Sequence, residues 1–233
     1  MSPKTLLASS IVLVFLAGIG LGFVIHDSFG GAKKLVPQNN REQAFFAQWK
    51  NERVSIVSPA ENLRVGTNNG SLTYVHGVSS AAQIVTRGGT AASVTRIVSE
   101  SSQAMSAPMS EALGKQGAVT YMKLWQDMAS LMVSYAQAKA TNSADGTAGI
   151  VTSIDTQAGS IATFYHSVSD AVAVNAVQPA LQQTMKSMRD AIDASVSGRL
   201  PDVTTAENAA AKKLSSVMDT VASALVHQNP GRY

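Results

Sequence analysis

The chain has no cysteine, and only 14% of its residues are charged and 6% aromatic. The first absence rules out a disulfide framework, a thiolate metal site and c-type haem attachment. The few charges leave a formal net charge of +3, with basic residues dispersed after Arg53, so no patch suited to specific nucleic-acid recognition emerges. Sparse aromatics beside abundant alanine imply helices packed closely around a thin core. Glu-x-x-His, the pattern of carboxylate-bridged di-metal bundles, is missing, and so is His-x-x-x-His. The four histidines, His26, His76, His166 and His227, are scattered. No Gly-x-Ser-x-Gly elbow, P-loop or dinucleotide fingerprint occurs either. The sequence therefore nominates no catalytic residue, no metal ligands and no cofactor.

What is present begins with Leu6 to Ile25, twenty residues without one charged side chain. At about 1.5 Å per helical residue this run spans roughly 30 Å, the thickness of a bilayer's hydrocarbon core. A cleaved signal peptide is the rival reading, because Lys4 supplies a short basic start. The run exceeds the usual apolar length of such a peptide, and no small-x-small site follows it. Residues 1–27 are accordingly expected to be an uncleaved, single-pass anchor. Positive charge nearly balances across it, with Lys4 on one side and Lys33, Lys34 and Arg41 on the other. The Ala, Ser, Thr, Val and Gln-rich body reads as exported, with the bulk of the chain extracytoplasmic. Gly18 and Gly22 form a small-xxx-small pair that lets two membrane helices approach closely, and they suggest a homodimer. Glycine is also simply commoner in membrane helices.

Residues 28–55 read as a juxtamembrane segment. A helix over 41–53 gathers Phe45, Phe46 and Trp49, which suit the headgroup level of a bilayer or, equally, the core of a downstream domain. Residues 56–105 are expected to be irregular, with a small β-hairpin near 62–76, since Asn69-Gly70 between alternating apolar residues favours a tight turn. Gly88-Gly89 breaks the weak helical pattern from Val78 to Met105. Asn69-Gly70-Ser71 matches a glycosylation sequon that is frequent by chance.

After Pro108 the pattern becomes strong. Four apolar stripes follow three- and four-residue steps: Met109 to Tyr135, Ile150 to Val172, Val177 to Val196, and Ala210 to Leu225. Asn175 with Gln178, and Thr204-Thr205-Ala206-Glu207, have the spacing of helix caps, and Gly198 marks an end. The expected fold class is all-α: a transmembrane helix, then an up-down-up-down four-helix bundle over 106–230. Asp190 and Asp193 lie one turn apart and have the spacing of an acid–base pair, although solvated carboxylates are the simpler reading. His166 and His227 have positions from which they can meet across two helices. The nine methionines sit at helical spacing and read as core filling rather than soft-metal ligands.

From Leu124-Trp125 to its end the chain resembles a group of uncharacterised bacterial helical proteins. Leu124-Trp125, Phe164-Tyr165 and Asn229-Pro230 with Tyr233 carry the resemblance. The histidine, Trp-Thr-Arg and His-Leu elements of that group are absent here, so no histidine chemistry transfers. Physically, Trp125, Phe164 and Tyr165 on neighbouring helices are expected to pack as the widest part of the core, with Tyr233 folding back over the bundle end. Taken together, the expectation is a membrane-anchored, non-enzymatic binding or interaction module whose partners are the lipid bilayer and a protein or small ligand. The alternatives are an extracytoplasmic ligand-sensing bundle working through a separate signalling partner, or an envelope-associated enzyme.

Overall fold

Ser58 opens the first helix of the domain by accepting a hydrogen bond from the Glu61 N–H at 3.1 Å, with Pro59 in the first turn, where its missing donor costs nothing. The computed structural model describes residues 58–230. They form six α-helices: α1 Pro59–Thr86, α2 Ala91–Ser106, α3 Ser110–Ala140, α4 Ala144–Val168, α5 Val174–Val196 and α6 Leu200–Gln228. A 3-10 turn, Ala107–Met109, links α2 to α3. Left-handed residues follow the ends of α1, α3 and α5, namely Gly88 (φ 77°), Asn142 (φ 55°) and Gly198 (φ 72°), and Gly114 (φ 68°) kinks α3 near its start. The described residues are all-helical, with no strand.

The hairpin expected near 62–76 is therefore corrected, since Asn68-Asn69-Gly70 lies in the middle of the 28-residue α1. Gly70 is demanded by a neighbour rather than by a turn. A Cβ there would stand 2.6 Å from the Ala104 carbonyl oxygen of α2, so the helices meet backbone to backbone. Gly66 is crowded by the ring of Pro108 in the 3-10 turn, a Cβ falling 2.8 Å from the proline's own Cβ. The buried face of α1 runs through Leu63, Thr67, Gly70, Ser71, Tyr74, Val75, Val78 and Ala82 at helical spacing. Thr67 and Ser71 hide on it because their hydroxyls donate to Arg64 and Thr67 carbonyls one turn back, at 2.9 and 2.8 Å. Ser101 and Ser102 on α2 do the same towards Ile97 and Val98. The predicted break at Gly88-Gly89 is present as the turn between α1 and α2.

Each helix packs on the next in sequence, and α1 also packs on α3, α5 and α6. In a simple four-helix ring the first and last helices are neighbours. Here α3 and α6 are not a closely packed backbone pair, and α1 lies against both. Residues 58–106 are thus part of the same core. Two expected caps are also corrected. α5 starts at Val174, so Asn175 lies inside its first turn, and α6 starts at Leu200, so Thr204 and Glu207 lie inside that helix. Glu207 is engaged by α1 instead, as described below.

Candidate functional site

The widest part of the interior is an aromatic knot drawn from three helices, with a thioether from a fourth. Trp125 of α3 is fully buried and meets Tyr74 of α1 edge-on, ring centroids 4.8 Å apart. Tyr121, one turn earlier on α3, lies 6.3 Å from Trp125, 5.8 Å from Tyr165 and 5.9 Å from Phe164. Such pairs contribute about 0.5–1.5 kcal/mol each beyond the area they bury. Trp125, Phe164 and Tyr165 pack across neighbouring helices as their positions lead one to expect, and Tyr74 and Tyr121 complete the set. Tyr233 lies outside the described residues.

The polar heads within the knot answer one another. Tyr74 donates to the Trp125 carbonyl at 2.9 Å, the Tyr121 and Tyr165 hydroxyls are 3.1 Å apart, and both lie against the Met218 sulfur of α6 at 3.6 and 3.2 Å. The buried indole N–H of Trp125 makes no hydrogen bond of full geometry, though it lies near enough to both phenols to ease their ionisation slightly. Burial dominates, and it pushes Tyr74, Tyr121 and Tyr165 well above the ordinary phenol range. Phenols held protonated in this way are packing groups that supply neither a base nor a nucleophile at neutral pH.

A second polar cluster joins α3 to α5. Tyr135 donates to both oxygens of Asp193, at 3.0 and 3.1 Å, and Lys139 pairs with the same carboxylate at 3.2 Å. Burial first, then the Asp193 charge and hydrogen bond, push the Tyr135 phenol up to about 12. Asp190 turns to Lys186 at 2.9 Å. Asp190 and Asp193 thus face separate cations rather than sharing a proton. Both line a cleft of about 440 Å³ between α5 and α6, with Arg199, Asp202 and Thr205. A smaller cleft, about 210 Å³, lies where α6 ends beside the start of α1, lined by Ser58, Glu61, Arg64, Ser223 and His227. His166 is occupied elsewhere, its Nδ1 lying 3.0 Å from the Val172 carbonyl. Among the described residues no three His, Cys, Asp or Glu side chains gather as metal ligands.

Gly18, Gly22, Phe45, Phe46 and Trp49, the residues singled out for membrane and pairing roles, lie outside the described residues, as does Leu6 to Ile25. Among the described residues, no helix is long and apolar enough to cross a membrane. The polar contacts between α1 and α6 carry no signal in the linear sequence. Asn68 donates to Asp219 at 3.0 Å across 151 residues of chain, and Ser79 donates to Glu207 across 128. No family model, no curated protein and no solved structure matches the chain.

Proposed function

We propose that the protein is a membrane-tethered, non-enzymatic interaction module, its helical bundle held outside the cytoplasm by Leu6 to Ile25 and presenting its surface to a protein partner. The observation that carries the reading is the filled interior. Where helical bundles that bind cofactors leave an inward-facing set of ligands, this one places Trp125, Tyr74, Tyr121 and Tyr165, with the Tyr121 and Tyr165 hydroxyls paired and Tyr74 bonded to the Trp125 carbonyl. Recognition then falls to the outer faces. The twenty uncharged residues near the N-terminus support the tether. In the same reading Gly18 and Gly22 pair two anchors, and Phe45, Phe46 and Trp49 rest at the headgroup level.

Cross-linking on intact cells, followed by extraction in mild detergent and identification of attached chains, tests the partner. A reproducible second protein is expected, and recovery of monomer alone defeats the reading. Protease accessibility on the same cells tests the tether separately. Residues 58–230 are expected to be cut from outside, and protection behind an intact membrane overturns the assigned side without touching the partner claim.

A further inference from the structure

α2 and α3 follow one another in sequence and pack together, so the chain must double back between them. The 3-10 turn that joins them does not reverse it. Ser106, Ala107, Met109 and Ser110 all keep right-handed helical torsions. Gly77, Gly70 and Gly66 of α1 lie against Ser101, Ala104 and Pro108 in turn, so the line of α2 continues down α1 through that turn. The reversal falls at Gly114, where φ 68° and ψ 172° lie in a region open essentially to glycine alone. Helix resumes at once on either side.

Two glycines make this corner. At Gly114 a Cβ meets nothing within 4 Å, so torsion and not crowding demands the glycine. At Gly117 the demand is space. A Cβ there stands 3.0 Å from the Leu113 Cβ, whereas residues four apart in a regular helix hold theirs about 5–6 Å from one another. Both glycines also disfavour a helix running straight through. Gly114, Lys115 and Gln116 are exposed.

We propose that this corner is an exchange hinge, through which the arm formed by residues 58–113 passes from one copy of the chain to a second. Turning Gly114 into the helical region fuses α2 and α3 into one helix from Ala91 to Ala140, about 75 Å long, and lifts the arm off its own α3, α5 and α6. The arm does not stay bare. It carries Leu63, Tyr74, Val75 and Val78 buried, and its polar contacts are equally particular, with Tyr74 on the Trp125 carbonyl, Asn68 on Asp219 and Ser79 on Glu207. The surface that answers all of these is the matching face of another copy, which the same opening uncovers. In the exchanged pair each contact re-forms between chains, and only the hinge differs. The fused helices then run antiparallel, each α2 on the other chain's α3. With glycine at 114 and 117 the folded-back form predominates, and the exchanged pair grows with concentration.

The chain has no cysteine, so single thiols report the exchange. One full-length preparation carries Asn68→Cys and another Asp219→Cys; they are mixed, unfolded in urea, refolded together and treated with a short bis-maleimide. A band of two covalently joined chains marks an arm of one copy seated on the body of the other. With the native hinge the band is expected to be faint and to grow with protein concentration. Gly114→Ala and, separately, Gly117→Ala are expected to strengthen it about tenfold while helical circular dichroism is retained. Insertion of Gly-Ser-Gly after Gly114 lets the corner be turned without strain and is expected to remove the band. Pairing through any other surface leaves the band indifferent to the hinge. A band that either folded alanine variant fails to strengthen, or that the insertion leaves intact, overturns the proposal.

Discussion

The two flanks of α1 solve the same problem in opposite ways. Towards α2 the helix removes side chains, and Gly66 and Gly70 let backbone approach Pro108 and Ala104. Towards α6 it adds polar ones, and Asn68 and Ser79 reach the carboxylates of Asp219 and Glu207. The first contact is rigid because a carbonyl oxygen cannot rotate out of the way. The second is directional because a hydrogen bond is lost within a small displacement. Between them the inward face carries Tyr74 into the aromatic knot. The lesson is that one helix meets its two neighbours by different chemistry, close backbone approach on one flank and directional hydrogen bonds on the other.

Raising the pH attacks the inward face first and is expected to have the largest effect. Tyr74, Tyr121, Tyr135 and Tyr165 all hold their protons above the ordinary phenol range in the fold. The unfolded chain therefore binds fewer protons above about pH 10, and stability falls as pH rises from there, by up to about 1.4 kcal/mol per pH unit for each such group. For Tyr135 this loss runs from the ordinary phenol value of 10.0 to about 12. Urea unfolding across pH 8 to 12 is the measurement, and a flat midpoint over that range contradicts it. Tyr74→Phe keeps the ring and is expected to lessen the slope.

Gly70→Ala breaks the rigid flank. Its new methyl meets a backbone oxygen at 2.6 Å, so the helices must part, at a cost of about 2–3 kcal/mol. The comparison sharpens with Gly149→Ala on α4, where a Cβ meets nothing within 4 Å. There the same substitution is expected to stabilise by about 0.5–1 kcal/mol through helix propensity. Between these in size lies the directional flank. Glu207→Ala leaves the buried Ser79 hydroxyl without its acceptor and is expected to cost about 1–2 kcal/mol. Thermal and urea unfolding of the three variants side by side decides the order, and equal effects at Gly70 and Gly149 remove the case for backbone contact.

How much was legible follows from side-chain size. The stripes in α3 to α6 stand out because Tyr121, Met128, Ile154, Ile161, Leu181, Met185, Leu214 and Met218 are large, apolar and buried at helical spacing. α1 and α2 were obscured because Thr67, Gly70, Ser71, Ser101 and Ser102 occupy their buried faces, and those residues score as turn or loop. Their hydroxyls are satisfied within their own helix, a local bond that no hydropathy pattern registers. Thr204 and Glu207 had the spacing of a cap, but α6 begins earlier and Glu207 serves α1. Asp190 and Asp193 lie one turn apart as their spacing requires, and Asp190 takes Lys186 one turn back on its own helix, but only the packing of α3 against α5 gives Asp193 its partners Tyr135 and Lys139.

By itself, then, the sequence determined that the chain after residue 106 is helical, that its core is made of methionine, aliphatic and a few aromatic side chains, and that a twenty-residue uncharged run precedes it. These are properties of periodicity and composition, which are local. Tertiary structure alone decided that Asn69-Gly70 is helix, that α1 joins the core between α3 and α6, and that Glu207 and Asp219 face α1. Each of these depends on a neighbour far away in the chain, whose closeness fixes what a glycine or a carboxylate is for.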